Sequence, residues 1–371
     1  MTPSPRQHDR LVGLIEQGIR AGQHLGAQVY ASLRGKPAVN LAVGEAAPGV
    51  AMTPETLMLW MSATKPIVAA AVMQCVERGE LALDDPIARH LPPFAAEGKD
   101  AITIRHLLTH TGGFRHVPLR FPEHSWPQII DTICAAPIEK GWEPGKTAGY
   151  HPRPSWFILG ELVQRATDQP LPEYLREKLF EPLGMADCFV GIPENIYEQY
   201  HDAKRIGMLP NTEGKQLAAH PRTSKPWLIA CAPASNGLGP TRQLARFYEM
   251  LLNGGTLNGA RVLQPDTVEQ MTHRQRAGAY DLTFQHRLDW GLGMMLDKPD
   301  RRGRMPYGHG RHASPGTFGH GGMQSSAAFG DPHHGLAVAA VFVGMPGEQI
   351  HQRRMDELLT ALYEELKLAN P

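Results

Sequence analysis

Hydrophobic positions along the chain switch between helical and alternating spacing several times. Near the start, Leu11, Leu14, Ile15 and Ile19 recur at the interval of an amphipathic helix. Gly26 to Leu33 and Pro37 to Gly44 are short β-prone runs on either side of Arg34-Gly35-Lys36, a pattern that predicts a hairpin. From Ser62 to Val76 the sequence turns apolar and alanine-rich (Ile67, Val68, Ala71, Val72) and stops at Arg78-Gly79, a basic last turn followed by glycine. This predicts a buried helix with Ser62 at its entrance. Pro66 agrees, because proline is tolerated only in a first turn. Between Asp84 and about Ser235, helical segments such as Ser155 to Ala166 and Leu171 to Phe180 are broken by many prolines and glycines. Thr241 to Asn253 is helical again. Ser325 to Gly330 and Leu336 to Val343 then form a second predicted hairpin across Asp331 to Gly335. Met355 to Leu368 carries Met355, Leu358, Leu359, Leu362 and Leu366 on one stripe. The pattern describes a sheet assembled from both chain ends with a mainly helical insertion between them.

Composition narrows the function classes. At 371 residues without a low-complexity linker, two closely packed domains are expected. Lysine plus arginine and aspartate plus glutamate each number 37, so no net field gathers nucleic acid or anionic lipid, and a small neutral substrate is the expected partner. No apolar run approaches the roughly 18 residues needed to cross a bilayer. The first twenty residues lack the apolar core of a secretion signal, which leads to the expectation of a soluble, cytoplasmic protein. Cys75, Cys134, Cys188 and Cys231 lie far apart and read as reduced structural thiols. The eighteen histidines show no metal-ligand spacing, so neither a metal nor another cofactor is expected. No Gly-x-Ser-x-Gly elbow occurs. Asp84 and Asp85 read as helix caps rather than catalytic acids.

The chemistry concentrates at Ser62-Ala63-Thr64-Lys65. Three-residue spacing at a helix start brings hydroxyl and amine onto one face, and a lysine desolvated in a cleft can act as the base that a serine nucleophile needs. The helix N-terminus adds positive potential where an oxyanion would form. Alone, the tetrapeptide reads more readily as a capping Ser62 beside a solvated Lys65.

The surrounding series is more specific. In order it runs Met61-Ser62-Ala63-Thr64-Lys65-Pro66, Leu83-Asp84-Asp85-Pro86, Ile104-Arg105-His106-Leu107-Leu108-Thr109-His110-Thr111-Gly112-Gly113, Glu143-Pro144-Gly145 before Tyr150, Leu159-Gly160-Glu161, Phe180-Glu181-Pro182-Leu183-Gly184-Met185, Asn236-Gly237-Leu238 and Phe318-Gly319-His320-Gly321-Gly322. Over nearly its whole length the chain resembles the serine β-lactamase and penicillin-binding-protein superfamily, in particular its class C branch and the family VIII esterases. That resemblance implies an α/β fold of the α+β type, with an antiparallel sheet flanked by helices. It implies a discontinuous sandwich domain (residues 1–85 and 236–371), a mainly helical domain (86–235) and an active site in the cleft between them.

It also implies roles. Ser62 would be the nucleophile, with Lys65 and Tyr150 handling its proton. Tyr150 stands where the family carries the tyrosine of its Tyr-x-Asn element, but His151-Pro152 follows, so the amide-bearing asparagine is missing. This favours ester over β-lactam cleavage and places His151 at the substrate. His320-Gly321-Gly322 stands for the family's Lys-Thr-Gly strand, with His320 lining the cleft and the glycines allowing close approach. The backbone N–H groups of Ser62 and Met323 would form the oxyanion hole. The segment Phe121 to Trp126 would limit acyl size. Hydrolysis of a β-lactam or peptide amide at the same site, and a catalytically retired binding or scaffold protein, are the alternatives.

Overall fold

The computed structural model describes residues 8–214, 217–297 and 305–369. The first helix, α1 (Asp9–Arg20), buries Leu11, Ile15 and Gly18. It leads into β1 (Gly26–Leu33) and β2 (Lys36–Ala47), which are joined by Arg34 at φ 52 and Gly35 at φ 73. Two consecutive left-handed residues are what a tight hairpin loop needs to match the strand twist. After β3 (Val50–Ala51) and β4 (Met58–Leu59) comes α2 (Lys65–Glu77). Every residue of α2 from Lys65 to Cys75 is buried, as an alanine-rich helix without a polar stripe requires. Its C-terminus closes on Gly79 at φ 72.

The middle of the chain contributes α3 (Pro154–Thr167), packed against α2, and β5 (Phe189–Val190). The segment predicted helical from Leu171 to Phe180 is a short α-helix, Leu171–Leu175, that widens into a π-turn, Arg176–Phe180. The chain then returns through β6 (Gly237–Gly239) and α4 (Thr241–Leu252) to β7 (Arg276–Asp281), β8 (His286–Trp290), β9 (Met295–Leu296), β10 (Phe318–Gly322), β11 (Ser326–Asp331) and β12 (Leu336–Phe342), ending in α5 (Glu348–Glu365).

Nine of these strands form one sheet in the order β7-β8-β9-β10-β11-β12-β1-β2-β3, with every neighbouring pair antiparallel. The pairing of Val29 with Ala340 and Ala31 with Val338 closes the N-terminal hairpin onto the C-terminal one. Both faces are covered. Val29, Ala31, Val338 and Ala340 pack with Leu11, Ile15, Leu358 and Leu362 of α1 and α5. Tyr30, Ala337, Ala339 and Val341 turn to the other face, where Leu244, Phe247 and the apolar residues of α2 and α3 lie. Covering on both sides explains why β12 reads as an unbroken apolar run rather than an alternation. A small sheet, β4-β6-β5, ties the entrance of α2 to the middle region.

Two expectations change. Helix α5 starts at Glu348, seven residues before the apolar stripe begins. Its first turns are polar but anchored: Arg354, buried, donates to the carbonyl oxygens of Gln23 (2.9 Å), Gln324 (2.9 Å) and Gly344 (2.7 Å). Asp84 and Asp85 are not helix caps. Asp84 forms a bidentate pair with Arg105 (2.7 and 2.8 Å), while Asp85 pairs with Arg89 (2.6 Å) and His90 (2.9 Å), and the following helix has Pro86 at its N-cap. Among the described residues no helix is long and apolar enough to cross a membrane, and all four cysteines are free thiols.

Candidate active site

Met61 holds a left-handed backbone at φ 52, and from it Ser62 opens a 3-10 turn, Ser62–Thr64, that runs into α2. For a non-glycine residue this conformation costs on the order of 1–3 kcal/mol and persists only where surroundings enforce it. Here they do. Thr64 Oγ1 donates to the Met61 carbonyl (2.6 Å) and accepts the Gly237 N–H (2.8 Å), and Ser326 Oγ donates to the Trp60 carbonyl (2.6 Å). The Ser62 hydroxyl is thereby presented from a fixed turn, partly exposed.

Lys65 follows one turn later with no exposed area. Its Nζ lies 3.0 Å from each of three oxygens: Ser62 Oγ, the Pro152 carbonyl and the Ala234 carbonyl. Burial first, then repulsion from the Arg222 guanidinium, holds the amine well below its ordinary pKa. The Tyr150 phenol shares a hydrogen bond with the Ser62 hydroxyl, and its ring centre is 5.1 Å from Lys65 Nζ. Burial pushes the phenol pKa up, so the O–H keeps its proton through neutral pH.

Tyr150 sits in a loop, but its backbone is fixed from the far end of the sheet. Its N–H donates to Asp281 Oδ1 (3.0 Å), and its carbonyl accepts from Thr283 Oγ1 (3.0 Å). Asp281 is fully buried and ion-paired to Arg276 at 2.9 Å. The rings of His110, Phe284 and His320 surround the phenol at 4.8, 4.9 and 5.8 Å between centres.

His320 lies on β10 beside Tyr150 and Trp290 and is only 2% exposed, so it backs the phenol rather than reaching into open space. Its Nδ1–H donates to the Gly321 carbonyl at 2.6 Å; burial, and next the charge of Lys65, bring its pKa to about 3. The ring is therefore a neutral wall at working pH. Gly322 passes against the Ser62 turn so closely that a Cβ there would come 2.4 Å from the Trp60 carbonyl oxygen and 2.8 Å from Met61 Cβ. A Cβ on Gly321 would meet the Tyr307 ring at 2.4 Å. Met323, partly exposed, follows directly.

His151 does not line the cleft. It is fully buried, and its Nε2 accepts the N–H groups of Gly113 (3.0 Å) and Phe114 (3.3 Å), locking the Thr111-Gly112-Gly113 loop beneath Tyr150. A backbone step of one residue turns neighbouring side chains to opposite sides, so placing Tyr150 at Ser62 sends His151 inward. Burial accordingly brings its pKa to about 3. Of the aromatic segment, Phe121 packs on Trp227 (4.6 Å) and, like Met323, borders the apolar cluster that contains Trp227. Trp126 faces away and donates its indole N–H to Glu161 at 2.7 Å.

Several participants had no sequence signal. The carbonyls of Pro152 and Ala234 act through backbone, which any residue type supplies. Asp281 and Arg222 stand in segments with no distinguishing motif. His110 alone was within a quoted motif, and its left-handed φ of 59 places the ring against Tyr150. Among the described residues one grouping has metal-ligand geometry, Glu198, His201 and Asp202, all exposed.

Comparison with known proteins bears on the chain as a whole. Esterase EstB of Burkholderia gladioli is 31% identical over 381 residues, which span 91% of this chain and 92% of the esterase. A penicillin-binding-protein homologue from Caulobacter crescentus superposes with a TM-score of 0.81 at 27% identity, covering 98% of this chain and 99% of that one. A family VIII carboxylesterase structure gives 0.80 at 26% identity with the same coverage. The Beta-lactamase family model matches residues 11–362, and the chain belongs to that family.

Proposed function

We propose that this protein is a serine hydrolase that cleaves carboxylic esters through an acyl-enzyme on Ser62. The observation that carries the reading is the partner set of Lys65. A neutral amine has two N–H donors and one lone pair. The Pro152 and Ala234 carbonyls can only accept, so they take the two N–H groups, and the lone pair is left for Ser62, the one partner with a proton to give. The lowered pKa of the buried amine favours that neutral form.

The chemistry follows from these contacts. The Ser62 proton passes to Lys65 Nζ as Oγ attacks the ester carbonyl carbon. The oxyanion is received by the main-chain N–H groups of Ser62 and Met323, each donor of such a pair lowering the barrier by roughly 3 kcal/mol. Collapse expels the alcohol, whose oxygen takes a proton delivered through the Tyr150 phenol from the Lys65 ammonium. Water, attacking by the reverse route, releases the acid. An alcohol in place of that water would give transesterification. Position 151 carries a histidine rather than an amide-bearing asparagine, and that histidine is spent on the Gly113 N–H, which supports esters over β-lactams.

The site would lie between the discontinuous unit of residues 1–85 and 236–371 and the inserted unit of residues 86–235. It is in keeping with this that Lys65 takes both carbonyls from the inserted stretch. The free thiols are in keeping with a reducing, cytoplasmic compartment. Ser62→Ala tested on p-nitrophenyl acetate and butyrate should lose at least about a thousandfold in kcat/KM. Turnover within threefold of the parent overturns the assignment, and nitrocefin turnover matching ester turnover would move the substrate class to β-lactams.

A further inference from the structure

Net charge balance hides a local imbalance beside the nucleophile. Arg222, in the short turn Pro221–Thr223, lays its guanidinium over the Trp227 ring at 5.4 Å. Its Nη1 stands 3.9 Å from two sulfurs, those of Met61 and Met323. One of these residues precedes Ser62, and the other follows β10 at the proposed oxyanion hole, so the guanidinium is set at the lip of the site. Its field reaches both Lys65 and Tyr150, and a second cation, Arg153, lies close enough to repel it. Arg153 holds one contact of its own, to the Leu119 carbonyl at 3.3 Å.

Several other arginines withdrawn from solvent in this protein are matched. Arg115 meets Glu139 at 2.6 Å, Arg276 meets Asp281 at 2.9 Å, and Arg354 is wrapped by three carbonyls. Arg222 and Arg153 differ: among the described residues neither has a carboxylate within ion-pair distance. Thioether sulfur is a weak acceptor, so most of the five N–H donors of Arg222 are unused. Its Nε and Nη2 have no protein acceptor and are not sealed off from solvent. A planar fork of free donors, pre-stacked on an indole and set beside Met61 and Met323, matches a carboxylate bidentately.

We propose that Arg222, assisted by Arg153, is a carboxylate-binding subsite, and that the protein's preferred substrates are esters bearing a free carboxylate, such as monoesters of dicarboxylic acids. This deepens, and rests on, the Ser62 acyl-enzyme reading. The neutral substrate expected from overall charge gives way to an anionic one because recognition depends on the few charges within reach of the cleft.

The test compares mono-4-nitrophenyl adipate with 4-nitrophenyl methyl adipate, which differ only in the distal carboxylate. The readout is the ratio of their kcat/KM values, which cancels any common effect of Arg222 on Lys65. The parent should favour the acid at least tenfold. Arg222→Gln should lower that ratio about tenfold, and Arg222→Lys, which keeps the charge but not the fork, should fall between. A parent ratio of one or less, or an Arg222→Gln ratio within twofold of the parent, overturns the subsite. Should Arg222→Gln fail to fold, Arg222→Lys and Arg153→Gln are read instead, each with an expected threefold drop. Should the parent hydrolyse neither ester, the acyl-enzyme reading fails by itself. The subsite is then judged by thermal shift with adipate: a rise in Tm in the parent that is absent in the variant supports it, and equal or absent shifts overturn it.

Discussion

Two lysines among the described residues are completely buried, and they illustrate opposite uses of burial. Lys99 is a peg in the middle region: its ammonium donates to the carbonyls of Ala96 (2.8 Å), Cys134 (3.0 Å) and Ala136. Lys65 has nearly the same shell, with one carbonyl replaced by the Ser62 hydroxyl. Three carbonyls demand three N–H donors, which only the charged form has. Two carbonyls and a hydroxyl accommodate a neutral amine. The neighbours reinforce the difference. Burial lowers the pKa of both, but Cys134 and Glu97 pull Lys99 back up, whereas Arg222 drives Lys65 further down. Desolvation pushes both amines toward the neutral form, and the surroundings decide the outcome: three carbonyls hold Lys99 as a structural cation, whereas two carbonyls, a hydroxyl and a nearby guanidinium suit Lys65 to the proposed role of base.

The largest effect that could break this contrast is on turnover. Lys65→Met should lower ester kcat/KM by at least about a thousandfold, with the fold retained. Lys99→Met should leave kcat/KM per folded molecule within threefold of the parent, while costing about 2–4 kcal/mol in urea unfolding because three carbonyls lose their donor. A hundredfold activity loss in Lys99→Met at unchanged stability, or a tenth of parental turnover remaining in Lys65→Met, would dissolve the distinction.

A smaller effect appears in the pH profile. In the proposed mechanism activity requires the uncharged Lys65 amine, so it should fall as pH drops through that group's lowered pKa. Removing the cation beside it in Arg222→Gln should raise the pKa and move the acid limb upward by about half a pH unit. A limb that stays put, or shifts downward, separates Arg222 from the base.

The smallest effect extends the contrast to other buried bases held neutral. His24, His151 and His320 are each brought to about 3, chiefly by burial. Because their folded pKa values lie below the unfolded value of about 6.5, their contribution is intact above that pH. It is lost as pH falls toward 3, where only the unfolded chain takes up protons. The melting temperature should therefore drop by several degrees between pH 7 and 4.5, and by less in His320→Gln. An equal drop in the variant would show that His320 is not part of the effect.

Much of this was legible along the chain. The hairpin at Arg34-Gly35, the buried helix entered at Ser62 and the paired strands before and after Asp331 follow from local pattern and turn chemistry. So did the convergence of Ser62, Lys65 and Tyr150, because the ordered series around them is characteristic of one family. Strands β7 and β8 were not foreseen, since residues such as Arg276, Asp281 and Asp289 in them are polar yet buried in pairs that periodicity does not register. The same holds for the polar start of α5, secured by Arg354.

What the sequence determined by itself was which residue types could react and which segments had to be inside, because nucleophile spacing and apolar periodicity are local properties. Tertiary structure alone decided that His151 turns inward, that the Pro152 and Ala234 carbonyls meet at Lys65, and that Arg222 reaches Met61 and Met323 with no carboxylate within ion-pair distance among the described residues. Those outcomes depend on groups brought together from positions up to 169 residues apart, and on backbone atoms that carry no letter in the sequence.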